Sequence, residues 1–403
     1  MARQALSLVK NRCPAKQVGW IKKNWAGLLR IWLTSNWKSR IQVEVLFLNR
    51  LFRIHMTNIT GAGANELAMS LLPTLFRLKG SSVDKVYISK DVYSYDRRMG
   101  KACVVMYRRI MPRSISRFLE CTLFSSKFNG CSPIFVLGDL PLRCKAPQTV
   151  FVQTPHLLKP ENIRFNLGSL KYSVSRFIFS VNKKYVRAFI VQTDVMRDGI
   201  SNSYGINKNK IHVIPQPVPS WLLDSGLRRS SQRKERSKLR LFYPAAYYPH
   251  KNHSLLSQLR KQEGLPWPVE NLVLTIDESL NPLKGMSSVH CTGQLPSENM
   301  IAEYSKTDAL LFLSSMESFG FPLVEAMYIG LPIICPDLPY ARALCGTQAI
   351  YFIPSDIKSL CDSILVLKNR LDQGWFPDWS EQLCSLPDDW ESVASQMVEV
   401  VCK

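Results

Sequence analysis

Two carboxylates eight positions apart frame a tight turn in the run Glu317-Ser318-Phe319-Gly320-Phe321-Pro322-Leu323-Val324-Glu325. Pro322 suits the first turn of a helix, where its missing N–H would have no partner anyway. Gly320 lets the backbone come close to a ligand. The amides of Phe319, Gly320 and Phe321 would then stand at a helix N-terminus, where unpaired N–H groups and the helix dipole favour negative charge or sugar hydroxyls. Glu325 is expected in the first turn, and Glu317 at the end of the preceding strand. Taken alone, such a pair reads equally as a dipole partner and a solvated loop residue.

The surroundings decide between these readings. The full run is Leu311-Phe-Leu-Ser-Ser-Met-Glu317-Ser-Phe-Gly-Phe-Pro-Leu-Val-Glu325-Ala-Met-Tyr-Ile-Gly330-Leu-Pro332-Ile-Ile-Cys-Pro-Asp337. It resembles the donor-binding half of family-4 retaining glycosyltransferases of the bacterial polysaccharide-assembly type, in which Glu, seven residues and Glu are followed by Ala-Met and Gly-x-Pro. The resemblance extends more loosely from about residue 50 onward and leaves the first 50 uncovered. It implies the GT-B fold and transfer of a hexose, for example mannose, from a nucleotide-diphosphate sugar to a glycan or lipid-linked acceptor. It assigns Glu325 to the ribose hydroxyls, and Glu317 to orienting the donor sugar and stabilising positive charge at the anomeric carbon.

The same resemblance assigns three further places. Lys251, in Tyr243-Pro-Ala-Ala-Tyr-Tyr-Pro-His250-Lys251, matches the lysine of an Arg…Lys pair that binds the donor pyrophosphate. The arginine is absent, since Pro244, Ala245 and Ala246 occupy its place, and His250 is the candidate substitute. Gly61-Ala62-Gly63 resembles the glycine turn that reaches the donor phosphates from the first domain. His156 follows the strand-like run 149–153, at a strand end where ligands bind in such sheets, and family members carry a contact to donor sugar or acceptor there. As a lone histidine it reads also as structural. No metal and no separate cofactor are implied, and no Asp-x-Asp cluster suited to a metal is present.

Strand-like runs at 52–57, 85–89, 133–137, 149–153, 188–193 and 210–215 alternate with helix-compatible stretches. They predict an α/β parallel sheet with crossover helices. A Ser/Arg/Lys-rich stretch at 219–238 reads as a solvated linker. Alternation then restarts with strands at 239–243, 272–276, 289–293, 309–313 and 332–336, and helices from His253, over 297–305 and over 322–328. The reading is two facing Rossmann-like domains, 51–218 for the acceptor and 239–385 for the nucleotide sugar, with a central cleft. A C-terminal helix, 386–403, is expected to cross back onto the first domain. Residues 1–50 form a basic extension in which Trp20, Trp25, Leu28, Leu29 and Trp32 fall near one face at helical spacing. It reads as an interfacial amphipathic helix or as an ordinary packed one.

Composition bounds the partners. The 403 residues are 46% hydrophobic and 21% charged, as in a folded domain pair, and no run approaches the roughly 20 apolar residues of a membrane span. Residues 1–220 hold 35 basic and 10 acidic side chains, against 17 and 21 in the remainder. That asymmetry points to an anionic partner for the first half. An anionic membrane surface is favoured over nucleic acid, for which no recognition motif accompanies the charge. The 11 cysteines are odd in number and contain no Cys-x-x-Cys pair, which predicts a reducing, cytoplasmic setting; the resemblance, with its lipid-linked acceptors, implies a peripheral place at the inner membrane face. Two other activities share the expected architecture or charge: a nucleotide-sugar epimerase or phosphorylase, and a non-catalytic nucleic-acid binder.

Overall fold

The computed structural model describes residues 51–57, 59, 62–79, 82–89, 104–107, 111–159, 167–229, 237–260 and 264–403. The amphipathic extension expected over 1–50 and Gly61 of the glycine turn lie outside them.

The first domain is a parallel sheet of seven strands: β1 (Phe52–His55), β2 (Val83–Ser89), β3 (Val104–Tyr107), β4 (Ile134–Val136), β5 (Gln148–Phe151), β6 (Val186–Val191) and β7 (Ile211–Val213), in the order β3-β2-β1-β4-β5-β6-β7. The second has six: β8 (Leu239–Tyr243), β9 (Val269–Leu274), β10 (Val289–Cys291), β11 (Ala309–Leu311), β12 (Ile333–Pro336) and β13 (Ile350–Phe352), ordered β10-β9-β8-β11-β12-β13. All pairings are parallel, and the order in each sheet reverses beside the first strand of its domain. That reversal opens a crevice at the carboxyl ends of the strands.

Helices cover the faces: α1 (Ala62–Lys79), α2 (Arg113–Cys121), α3 (Leu167–Asn182) and α4 (Asp194–Tyr204) in the first domain, then α5 (Ser297–Lys306), α6 (Phe321–Ile329), α7 (Pro339–Cys345) and α8 (Ile357–Asp372) in the second. The central strands are buried on both sides, which is why they read as short continuous apolar runs. The stretch from His253 to Arg260 is a 3-10 helix rather than an α-helix.

The last helix, α9 (Trp390–Cys402), crosses back as expected. Its Trp390, Val393, Met397 and Val401 share a core with Phe52, Ile54 and Leu71 of the first domain. Arg187, on β6, donates to the carbonyls of Val400 (3.0 Å) and Val401 (2.5 Å), meeting the helix at its carbonyl-rich end.

The linker is shorter than the expected 219–238. Residues 220–225 form a helical turn whose Leu222 is buried in the second core together with Val218. Arg229 then docks on the same domain, its N–H to the Ile329 carbonyl at 2.8 Å and its guanidinium to the Asp308 carbonyl at 2.6 Å. Two of the basic side chains that suggested solvation here satisfy carbonyls instead, Arg228 that of Tyr328 and Arg229 that of Asp308. No helix among the described residues is long and apolar enough to cross a membrane.

Candidate functional site

The expected residues converge at the carboxyl ends of strands from both domains. In the second domain, the chain leaves β11 into a loop carrying Glu317, and leaves β8 into a loop carrying His250 and Lys251. Lys251 Nζ and Glu317 Oε1 meet at 2.5 Å, with both side chains largely sheltered from solvent. Several bonds hold the two loops together. The Ser315 N–H donates to the His250 carbonyl (2.7 Å), as does its hydroxyl (3.0 Å). Tyr243 OH donates to the Lys251 carbonyl at 2.6 Å and lies 3.2 Å from Ser314 Oγ. Tyr340 OH donates to the Ser314 carbonyl. Asn252, at φ 54°, accepts the left-handed conformation that turns the chain directly after Lys251.

Gly320 caps α6 at φ 91° and ψ 63°, and Pro322 sits in the first turn as expected. A Cβ at Gly320 would come within 3.2 Å of Leu323 Cδ1, so glycine is required on both conformational and steric grounds. Phe319 is buried in the second core, and Phe321 packs against the cores of both domains. Their side chains therefore anchor the turn in the cores on either side of it.

Glu325 lies one turn deeper than expected: it is the fifth residue of α6, which has no acidic group in its first turn. It is buried, and its Oε2 accepts a hydrogen bond from Tyr304 OH on α5 at 2.6 Å. Burial beside that carboxylate pushes the Tyr304 hydroxyl pKa well up, so it remains a donor. A helix-dipole role for Glu325 does not fit this position. A carboxylate oriented by a tyrosine does.

His156 comes from the first domain, in a short 3-10 turn (Pro155–Leu157) after β5. Asp139 positions that loop, its Oδ1 accepting the N–H groups of Gln153 (2.6 Å) and Thr154 (3.0 Å). Four rings then run across the cleft. Tyr172 on α3 stacks on His156 at 4.1 Å, His156 meets His250 edge-on at 4.8 Å, and His250 stacks on Tyr248 at 5.7 Å. A second tie crosses nearby: Thr193 Oγ1, which caps α4 by accepting the Met196 N–H, donates to the Ser318 carbonyl at 3.1 Å.

Two expectations need correction. Gly63 does not lie in a turn, because α1 begins at Ala62 and takes Gly63 into its first turn. A helix N-terminus stands there instead, with amides of its own to offer an anion. His250 does not replace the missing arginine as a cation. Burial and the neighbouring Lys251 lower its pKa to about 4, so it is neutral near pH 7 and supplies a ring and a hydrogen bond. Sequence reasoning also missed Tyr172, Tyr243, Tyr304 and Tyr340. The signal available was a tyrosine within an apolar face, whose hydroxyl must find a partner when buried.

Residues 278–369, which contain Glu317, the glycine turn and Glu325, match the family described as glycosyl transferases group 1. The part of the chain that carries the site thus resembles the group 1 glycosyltransferases. Over 317 residues, covering 74% of this chain and 85% of the relative, it is 23% identical to the O-antigen chain mannosyltransferase RfbU of Salmonella typhimurium. Among solved structures, WaaG, a glycosyltransferase involved in lipopolysaccharide biosynthesis, superposes with a TM-score of 0.61 at 12% identity, covering 87% of this chain and 99% of that one. The pneumococcal O-GlcNAc transferase GtfA, solved with UDP and GlcNAc, does so at 0.51 and 14% identity, covering 87% and 97%. These likenesses show that the chain has the GT-B fold.

Proposed function

We propose that this glycosyltransferase moves a hexose, mannose being the leading candidate, from a nucleotide-diphosphate sugar to a glycan or lipid-linked acceptor in cell-surface polysaccharide assembly, with retention of anomeric configuration. The observation that carries this reading is the 2.5 Å Lys251–Glu317 pair at the mouth of the cleft, facing His156 across it. A lysine held against a carboxylate is a cation ready to turn to a phosphate when the donor arrives. The acceptor class is supported by the O-antigen mannosyltransferase relative and by the basic first domain.

In this reading Glu325, aligned by Tyr304, takes the ribose hydroxyls. The amides at the start of α6 and the Lys251 ammonium stabilise the departing diphosphate, and no metal is called on for that task. The acceptor hydroxyl oxygen bonds to the anomeric carbon on the face that the phosphate oxygen leaves. The carbon–phosphate-oxygen bond breaks, and the leaving oxygen takes the hydroxyl proton. Glu317 stabilises the positive charge on the sugar in between. Closure of the domains about the ring stack excludes water. The protein acts at the inner face of the membrane.

The test is a thermal-shift screen of nucleotide sugars, followed by transfer assays with the best binder and a lipid-linked acceptor. Release of nucleoside diphosphate only in the presence of acceptor, and loss of donor binding in Glu325→Ala, are expected. Donor affinity and turnover that survive Glu325→Ala would overturn the site assignment.

A further inference from the structure

The first domain carries a face that the donor site does not use. On α2 and the residue before its cap, Met111, Ile115 and Phe118 are exposed at i, i+4 and i+7, and Leu123 and Phe124 continue the stripe in the following 3-10 helix (Leu123–Phe128). On α3, Val174, Phe177 and Val181 are exposed at i, i+3 and i+7. Leu123 retains 69% of its surface and Phe177 64%. These spacings put each set on one side of its helix. The helices are tied side by side where both end, by Asn182 Nδ2 donating to the Cys121 carbonyl at 2.9 Å. The two apolar stripes thus form one surface.

Its charge is one-sided. Residues 111–128 contain three basic side chains and one acidic, Glu120, which is fully buried. Residues 167–193 contain five basic side chains and no acidic one. Lys127 stands at the stripe itself, 5.8 Å from the centre of the Phe124 ring, and Lys184 is exposed just beyond Val181. Exposed large apolar side chains among cations, with no carboxylate exposed from either segment, match an anionic lipid surface: apolar groups enter the acyl boundary while lysines meet headgroups. A protein partner of opposite charge would need an acidic rim and would leave the three phenylalanines without a reason to protrude.

We infer that the α2–α3 face is the surface by which the protein seats on an anionic bilayer, and that α3 leads from that bilayer to the reaction site. The same helix carries Tyr172, stacked on His156, and Val181 on the docking face. The separation of nine positions spans about 14 Å at 1.5 Å per residue. A diphosphate-linked acceptor anchored in the membrane would present its sugar at His156 without leaving the bilayer. This inference rests on the lipid-linked-acceptor reading for its purpose, but the docking surface itself is measured separately.

The experiment is co-sedimentation of the full chain with phosphatidylglycerol/phosphatidylethanolamine vesicles at low salt, comparing the wild type with Leu123→Glu/Phe124→Glu/Phe177→Glu and with Lys127→Glu/Lys184→Glu. Melting temperatures confirm that these surface variants fold. The apolar triple variant is expected to bind at least tenfold more weakly, and the charge variant to lose the salt-sensitive part of binding. Nucleoside diphosphate release with a water-soluble acceptor is expected to remain at the wild-type level in both. Wild-type vesicle binding by the triple variant would overturn the inference and place docking elsewhere, for example in the Trp-rich residues 1–50. Light scattering that shows a dimer in the wild type and a monomer in the triple variant would equally overturn it, assigning the face to a second copy. Vesicle binding by a wild type that transfers no sugar would leave the docking surface standing and sink the enzymatic reading instead.

Discussion

His55 and Glu120 face each other at 3.2 Å between Nε2 and Oε1 in a site that leaves neither any solvent exposure. Thr57 Oγ1 reaches both carboxylate oxygens at 2.9 Å. The pair joins the end of β1, and the loop that leads to α1, to the last turn of α2. Burial raises the Glu120 pKa, but the hydrogen bonds and charge of His55 and the Thr57 hydroxyl outweigh it and leave the pKa below the usual value. Glu120→Ala is expected to cost about 3 kcal/mol, since it strands a buried histidine. Glu120→Gln, which keeps an acceptor for Thr57, should cost less. Urea denaturation midpoints check the order. If Ala and Gln cost the same, the lost charge accounts for the whole effect and the acceptor for Thr57 carries nothing.

Lys251 and Glu317 form a pair that donor binding is expected to rearrange. Lys251→Ala should lower kcat at least about 100-fold, by analogy with loss of one group that stabilises developing negative charge, while costing about 3 kcal/mol of stability because it leaves Glu317 unpaired in a largely sheltered site. Single and double alanine variants complete a cycle. Near-additive activity losses would mean that the two side chains act on separate atoms of the donor, and strong non-additivity that they act as a unit.

Tyr304→Phe removes one hydroxyl and leaves the ring packing. It is expected to raise the donor KM several-fold with little change in kcat, because the Glu325 carboxylate loses its orienting bond, and to cost about 1 kcal/mol of stability. Isothermal titration with the nucleoside diphosphate alone isolates the effect. Unchanged affinity would remove Glu325 from the donor site.

Gly320→Ala places a Cβ at a backbone φ of 91° and within 3.2 Å of Leu323. A destabilisation of about 1–2 kcal/mol is expected, together with a fall in activity larger than at Gly205→Ala. Gly205 is another left-handed helix cap, with open space around it and no ligand-facing role. Equal activity in the two variants would show that the α6 entrance does not meet the substrate.

His253 is buried beside Tyr243, and burial together with Lys251 lowers its pKa from 6.5 to about 4. The unfolded chain takes up a proton below 6.5 that the folded ring refuses until about 4. The stabilising contribution is therefore complete above pH 6.5 and is lost as pH falls toward 4. At about pH 4.5 the loss is on the order of 2 kcal/mol. A urea series across this range in the wild type and in His253→Leu reads it directly. A variant slope as steep as the wild type would exclude this histidine as the source.

Most of the strands were legible because buried parallel strands are written as largely apolar runs. Leu239–Tyr243 is one such run, and its limits agree with the structure. β3 was missed because it is an edge strand whose Val105 and Met106 remain exposed, so it carries no burial pattern. β13, three residues long, is too short to show any period. In the site, the local motif around Glu317 and Glu325 was readable, as were Lys251 and His156. Whatever depends on distant pairing was not. Tyr304 lies 21 positions from its carboxylate and Glu120 lies 65 from its histidine, and no local spacing records either partnership. Gly63 misled because a Gly-Ala-Gly-Ala run at a strand end serves a helix start as well as a turn.

The placement of α9 bears on how the molecule is made. Residues 390–402 wall the core that Phe52, Ile54 and Leu71 begin, so the domain synthesised first is the one completed last. While the second domain is being translated and folds, the nascent first domain waits on the ribosome with an apolar face that α9 will cover. Such an interval calls for a chaperone. A premature stop before Trp390 would accordingly spare the domain it interrupts and strand the one finished hundreds of codons earlier.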